Sequence, residues 1–589
     1  MPTFGHERQE FGHKRNGEVL SKDEQTYKSG FNDIGDFTTL AFTPIQTMKA
    51  NVITAVVTSQ ACLASAALYN QTIQTQYGTV QGIAAFDSEP INNISNWKDV
   101  TVWKGIPFAA DTSGQNRFRP PQKRAAWNST LYANEFGDVC PSGSLNFGGG
   151  PTKRQASSGS DATTGEDCLN LNIWSAANST DAKLPVMIWS YPAGGSAAQS
   201  LFDGGGMAAK GVVFVNYNYR GGALGWLAHP QLGSEMVNEV GKNVSGNWAM
   251  LDQFAVVKWV HENIAAFGGD PEQITVAGQS AGSAATYHMV NSPLTKGLIK
   301  GAIVESGIRY PFDPLCSTLA ENYRNMTTAL ATGASLMASL NVSTIDQLRQ
   351  LPLDTLNSAS GSFGAVLDYW AMPDTYYNTM VNGPANDVPL ITGNTKDESG
   401  ASLPINITVS AYIQDLQTQY GDAYAQRFLA LYPAANGTQA GMSFNAHYRD
   451  TSRVSSWLYA NGWDASAGTA SPIYTYYWDH APPGQDRGAY HESEICYALG
   501  NLYGTDLPWE EADFAIAERM SAYWANFAKT RDPNAGGSYA GTGALPRWRE
   551  SSPERNVTMR LGDGWGDVPL ASAEQIGLLA EFFATQPAF

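Results

Sequence analysis

The sequence predicts an α/β fold, one large and mostly parallel sheet with helices on both faces. Short apolar runs such as VMIW and VVFVNYNY lack the polar–apolar alternation of a half-exposed strand, so both of their faces are buried. These runs alternate with helical text, above all MLDQFAVVKWVHENIAAFG, and strand–helix–strand order imposes a parallel sheet. A third observation is a serine cornered between glycines directly behind one such run, in ITVAGQSAGSAAT at residues 274–286.

From residue 78 the strands read, in order, VTVWKGIPFA, LNLNIW, LPVMIWS and GVVFVNYNYR; after the helix come QITVAGQS and IKGAIVESG, and much later VPLITGN and SPIYTYYW. Their β-branched and aromatic residues suit a pleated, buried surface. No linker divides the run, which predicts a single domain over 67–589. The glycine- and serine-rich stretch 141–167 interrupts it only as a surface loop, with Leu145 and Phe147 as its large apolar side chains.

The N-terminus reads differently. Residues 1–47 are polar and mixed in charge, the text of a disordered upstream extension, and MKANVITAVVTSQACLASAALYN follows. Met48 and Lys49 form a short positive start, Ala50 to Leu63 a mildly apolar core, and Ala64-Ser65-Ala66 a small-residue cleavage site. This predicts a signal peptide over 48–66, translation from Met48 and a secreted, extracellular protein. Sequons at Asn70, Asn93, Asn128, Asn178, Asn243, Asn325, Asn341, Asn406, Asn436 and Asn556 suit a glycoprotein. Cleavage after Ala66 removes Cys62 and leaves Cys140, Cys168, Cys316 and Cys496, an even set for an oxidising compartment. The formal charge of −18 excludes a basic footprint for nucleic acid or anionic membrane. Polar residues break up the only candidate apolar span, so no stable membrane anchor is expected.

In QITVAGQSAGSAATYHMV a strand ends near Ala277 and a helix begins near Ala281, which puts Ser280 on the turn between them. A strained turn pushes the side-chain oxygen out above the sheet, and Gly278 and Gly282 keep Cβ atoms off the neighbouring strand and helix. The same turn presents the Ala281 N–H at a helix N-terminus. This is the arrangement of a nucleophile elbow; the bland alternative is a tight packing turn with an idle serine.

A serine hydroxyl needs a base to take its proton. Of the four histidines after Ser280, His288 lies two turns down the same helix, and His447 sits in a polar stretch with no strand before it. His480 ends a strand but runs into Pro482 and Pro483, whereas His491 lies in the loop DRGAYHESE, and position favours His491. The acid that orients such a base should leave a strand between serine and histidine. VPLITGNTKDESG offers Asp397 and Glu398, which the residues alone do not separate. Backbone donors for an oxyanion would come from Gly194 and Gly195 in PVMIWSYPAGGSAAQS, after an earlier buried strand.

The pieces WKGIPFA, RFRPPQ, EDCLNLNIW, VNYNYRGGALGWLAHP, GNWAMLDQFAVVKWVHENIAAFGGDP, VAGQSAGS, TGNTKDESGAS, GAYHESEICY and WANFAKTRDPN together resemble the type-B carboxylesterase family, from about residue 75 to the C-terminus. That family comprises carboxylesterases, cholinesterases and some fungal lipases. The resemblance implies an α/β-hydrolase fold and a serine esterase without metal or organic cofactor, acting on a small-molecule ester. It places the catalytic serine on Ser280, the acid on Glu398 and the base on His491. Its oxyanion donors fall on Gly194, Gly195 and Ala281, and its first disulfide on Cys140 and Cys168; Cys316 and Cys496 match no family pair.

The chain departs from the pattern in places that bear on substrate. Gln279 stands where the family usually has glutamate, which removes a negative charge beside the nucleophile. Tyr191-Pro192-Ala193 precedes the glycine pair, an apparent one-residue insertion in the oxyanion loop. No tryptophan lies between Cys140 and Cys168, so that loop lacks the aromatic platform for a quaternary ammonium. The missing charge and tryptophan disfavour choline esters, and the apolar-poor loop at 141–167, which cannot form a lipase lid, points to small neutral or aromatic esters. The competing readings are a catalytically silent recognition protein on the same fold, and a lipase, thioesterase or acyltransferase using the same serine.

Overall fold

Every apolar run read above is a strand of one sheet. The computed structural model describes residues 67–91, 94, 96–142, 162–318, 323–398, 407–466 and 468–589. The expectations for 1–47 and 48–66, and for most of the loop at 141–167, lie outside the described residues.

In chain order the strands are β1 Ile83–Ala84, β2 Thr101–Pro107, β3 Asn170–Ser175, β4 Leu184–Ser190, β5 Val213–Tyr217, β6 Gly269–Gln279, β7 Gly301–Glu305, β8 Leu390–Thr395, β9 Ile473–Trp478, β10 Val557–Leu561 and β11 Gly566–Pro569. Across the sheet they lie in the order β1, β2, β3, β5, β4, β6, β7, β8, β9, β10, β11. The run from β5 to β10 is parallel throughout, and antiparallel strands complete both edges.

Burial on both faces explains the unbroken apolar text. Val186 and Ile188 of β4, with Val213 and Val215 of β5, pack on one side against Val256, Val257 and Val260 of the helix Trp248–Asn263. The alternate residues Met187, Trp189 and Phe214 face the other side, against Met520, Tyr523, Trp524 and Phe527 of the helix Glu511–Thr530. The period of two in the strands therefore feeds two cores. Helix Trp248–Asn263 is tied to the end of β5 by a fork, with Arg220 Nε and Nη2 donating to Asp252 Oδ2 and Oδ1 at 2.8 and 2.7 Å. Both side chains are buried, so removing either partner would strand a charge in the core, at a cost of about 3–5 kcal/mol.

Chain order reverses direction across the sheet at β4, where β5 lies on one side and β6 on the other. Loops leaving the carboxyl ends of strands diverge at such a switch point and open a crevice. The loops after β4, β6, β7 and β8 carry Gly194, Ser280, Ser306 and Glu398 respectively. Among the described residues, no helix is long and apolar enough to cross a membrane.

Candidate active site

Ser280 caps the helix Ala281–Asn291 at the end of β6, with φ 56° and ψ −119°. This left-handed backbone is costly for a residue bearing a Cβ and survives because its surroundings hold it. Its N–H donates to the Glu305 carbonyl at 2.9 Å and its carbonyl accepts from Ala284 N at 3.1 Å. The flanking glycines are required by space. A Cβ on Gly282 would lie 1.9 Å from the Ser190 carbonyl oxygen, and one on Gly278 would lie 2.3 Å from the Gly282 carbonyl oxygen. The small-sided corner thus brings the turn hard against the end of β4 and leaves the serine half-buried at the sheet's carboxyl edge.

Glu398, just beyond β8, and His491, in the loop after β9, are in direct contact: His491 Nδ1 donates to Glu398 Oε2. The other carboxylate oxygen accepts Thr395 N–H at 2.8 Å. The Gln279 amide nitrogen lies 3.4 Å from His491 Nδ1 and 3.5 Å from Nε2, so the imidazole reaches the residue next to Ser280. Burial pushes the Glu398 carboxyl up, but the His491 charge and hydrogen bonds from His491, Ser306 and Thr395 together outweigh it, and the net shift is downward. Burial pulls His491 down, while the Glu398 charge and hydrogen bond, then Glu492 and Glu494, carry it up to about 9. The pair is therefore built to hold a charged imidazole against a charged carboxylate.

Sequence reasoning did not find the residues behind this pair. Ser306 follows β7 with φ 52°, a second small corner in VESG whose strand-then-serine pattern was the available signal. Its hydroxyl oxygen also lies 3.4 Å from Glu494 Oε1, and Glu305 Oε1 accepts Trp524 Nε1–H at 2.7 Å. Both glutamates are wholly buried. Burial first, and the Glu494 charge second, push Glu305 well above the usual carboxylate range; burial and the Glu398 charge push Glu494 to about 8. With both of these acids pushed up, Glu398 is the one of the three whose carboxyl is shifted downward.

The glycine pair after β4 forms a turn. Gly194 is left-handed at φ 71°, and the Gly195 N–H donates to the Pro192 carbonyl at 3.0 Å. Gly195 thus faces back into its own loop, and Ala281 supplies the N–H that opens the helix after Ser280. Tyr191 stacks on Tyr219 with ring centroids 4.9 Å apart, packing the base of the loop. Cys140 and Cys168 are joined by a disulfide, while Cys316 and Cys496 are buried and the Cys316 thiol donates to the Tyr310 carbonyl at 3.1 Å.

The other histidines lie in settings of their own. His288 is buried in its helix, and burial lowers it to about 4. His447 is buried among Tyr420, Phe428 and Tyr432, with its Nε2 2.9 Å from the Tyr420 hydroxyl, and it too is lowered to about 4 by burial. His480 sits between two carboxylates, Nδ1 2.6 Å from Asp563 and Nε2 2.8 Å from Asp513.

The chain is similar to known proteins over most of its length. The model of the carboxylesterase family matches residues 69–567. A fumonisin B1 esterase of Sphingopyxis macrogoltabida is 33% identical over 486 residues, covering 78% of this chain and 82% of that one. The para-nitrobenzyl esterase of Bacillus subtilis (strain 168) is 28% identical over 79% of this chain and 91% of its own length. A bovine (Bos taurus) bile salt-activated lipase is 30% identical over 82% of each chain. A solved para-nitrobenzyl esterase structure superposes with a TM-score of 0.67 at 26% identity, covering 86% of this chain and 99% of its own. Sheet order, elbow and family match together show an α/β-hydrolase fold and a carboxylic ester hydrolase, and the chain belongs to the carboxylesterase family.

Proposed function

We propose that the chain hydrolyses carboxylic esters through Ser280, His491 and Glu398 by way of an acyl-enzyme. The observation that carries this reading is the contact between His491 Nδ1 and Glu398 Oε2 beside an elbow that exposes a serine. Ser280 Oγ attacks the ester carbonyl carbon and gives its proton to His491 Nε2. The carbonyl π pair moves onto oxygen, and the Ala281 N–H, at a helix start, is the donor best placed to receive it. Gly194 is the second donor, and Gly195 joins them on release of its bond to Pro192. As the carbonyl re-forms, the C–O bond to the alcohol breaks and His491 returns the proton to the leaving oxygen. Water repeats the sequence on the acyl-enzyme, with His491 as its base. Glu398 fixes the tautomer that leaves Nε2 free for this work and stabilises the imidazolium that forms twice per turnover.

Small neutral or aromatic esters are the substrates this site suits. Gln279 puts an uncharged amide where a carboxylate would attract cations, and the sequence between Cys140 and Cys168 offers no tryptophan. Two relatives are named for esterase activity and one for lipase activity; a lipase is therefore the second reading. Secretion with N-glycosylation has its own support. Asn70, Asn128, Asn178, Asn243, Asn325, Asn341, Asn436 and Asn556, the sequon asparagines among the described residues, are all exposed.

The test is Ser280→Ala, which is expected to abolish both ester turnover and covalent labelling by a fluorophosphonate with the fold retained. Labelling that persists in this variant overturns the assignment.

A further inference from the structure

Asp397 precedes Glu398 and is buried, 1% exposed. Its two carboxylate oxygens have different partners. Oδ2 accepts the Ala489 N–H at 2.9 Å, and Oδ1 accepts from Arg449 Nη2 at 2.6 Å and Nε at 3.1 Å. The backbone repeats the first of these bonds in reverse, with Asp397 N–H donating to the Ala489 carbonyl at 2.9 Å, and Asp397 pairs with Tyr490 as an isolated parallel bridge. Lys396 N–H, one residue earlier, donates to the Trp478 carbonyl at 2.7 Å. The segment that carries Glu398 is thus stitched to the end of β9 and then to the residues directly before His491.

The loop has reason to need such a hold. Glu492, directly after His491, has φ 82°, which a residue with a Cβ adopts only under constraint. On the other side of the imidazole, Ala489 is buried and the Arg487 guanidinium lies 3.5 Å from the Tyr490 ring centroid. Between a strained residue and a packed one, the Asp397 carboxylate is the side chain that bonds the His491 loop to the Glu398 segment by backbone capture. Arg449, from the helix Gly437–Asp464, neutralises it and satisfies its second oxygen.

We propose that Asp397 is a positioning residue for His491. Its carboxylate sets where the Ala489–His491 segment lies along the Glu398 segment, and so holds the imidazole in contact with Glu398. This rests on the Ser280, Glu398 and His491 reading and deepens it. Aspartate and glutamate in the TKDESG stretch then do successive jobs: the first places the base and the second orients it.

The experiment compares Asp397→Ala, Asp397→Asn and Arg449→Met in the full chain, with steady-state kinetics, pH profiles and fluorophosphonate labelling mapped to Ser280. Asp397→Ala is expected to lower kcat by about 100-fold, the scale of a 1 Å misplacement, with KM within about threefold. The acid limb of its kcat/KM profile is expected at lower pH than in the parent, because an imidazole drawn away from Glu398 loses the charge that holds its proton. Asp397→Asn keeps an oxygen for the Ala489 N–H and is expected to restore most of kcat and the parent limb. Arg449→Met cuts the tie to the helix but not the capture, and is expected to lower the melting temperature with the acid limb unmoved. An Asp397→Ala limb that coincides with the parent's, or a kcat loss matched by Arg449→Met, makes Asp397 a structural tie and overturns the proposal. If Asp397→Ala does not fold, an Asp397→Asn variant with the kcat and limb of the parent supports it, and one with a 100-fold loss overturns it. Failure of the parent to label at Ser280 overturns the catalytic reading itself, which separates the two failures.

Discussion

The Glu398 carboxylate accepts the Nδ1–H of a histidine 93 residues further along the chain, and that contact shifts the ionisation of both groups. Glu398 is held below its ordinary range and His491 is carried up to about 9. A general base works only when neutral, so kcat/KM is expected to rise with pH, to reach half of its plateau near pH 9 and to level above that. Glu398→Gln removes the charge that holds the proton on. Its acid limb is expected to move to lower pH, and kcat to fall by about 10⁴-fold because the amide no longer fixes the tautomer or stabilises the imidazolium. The linkage sign follows from the raised value. Stability from this pair is fully present between the unfolded carboxyl value of about 4.5 and the unfolded imidazole value of about 6.5; it is lost as pH rises through about 9, and again as pH falls and Glu398 takes up a proton. Melting curves of parent and Glu398→Gln are therefore expected to differ most between about pH 4.5 and pH 6.5, to converge above pH 9, and to draw together again in more acid solution.

Gln279 gives a prediction of opposite sign. Its amide nitrogen lies 3.4 Å from His491 Nδ1, and its Oε1 is buried without a hydrogen-bond partner. Gln279→Glu would set a second carboxylate against the imidazole, so the acid limb is expected to move to higher pH. Turnover of neutral esters at pH 7 is expected to drop several-fold, because less His491 is neutral there, while KM for cationic esters falls. An unmoved limb would show that the side chain at 279 does not feel the imidazole.

The elbow glycines can be tested against a glycine that does nothing. Gly282→Ala would place a methyl 1.9 Å from the Ser190 carbonyl oxygen, a backbone atom that cannot step aside. Expected are loss of phosphonate labelling and a stability loss of about 3 kcal/mol or more. Gly577 lies exposed in the helix Ala573–Phe583 with nothing near its missing Cβ. Gly577→Ala is expected to stabilise by about 1 kcal/mol through helix propensity alone. Denaturant melts of the two variants decide both.

What the sequence revealed, and what it hid, follows from the range of the interactions. Ser280 was legible because its corner is local: strand, glycine, serine, glycine and helix lie within one short stretch. The buried strands were legible for the same reason. Asp397 and Glu398 were inseparable from sequence because their difference lies in partners 52 to 93 residues away. Glu305 and Glu494 were passed over because a glutamate is rarely fully buried, and nothing local marks these two as exceptions. The edge pair β10 and β11 and the long helices Val409–Leu431 and Gly437–Asp464 also went unread. Their text mixes polar and apolar residues, and partners elsewhere in the fold decide their state.

Substrate class separates the esterase reading from the lipase reading. A lid that opens onto an oil surface needs a stripe of large apolar residues at helical spacing, so that one face enters the interface. The sequence at 141–167 supplies Leu145 and Phe147 amid serines and glycines, too little to form such a face. Catalysis should then depend on dissolved substrate alone. With a short-chain ester, velocity is expected to saturate below the solubility limit and to pass through the onset of emulsion without a step. Acyl chains of two to four carbons and small aromatic acids are expected to outrun long-chain triglyceride by at least about tenfold in kcat/KM, since the 141–167 sequence offers few large apolar side chains for added methylenes. A sharp rise at the emulsion threshold, with long-chain triglyceride preferred, would instead place the chain with the bile salt-activated lipases it also resembles.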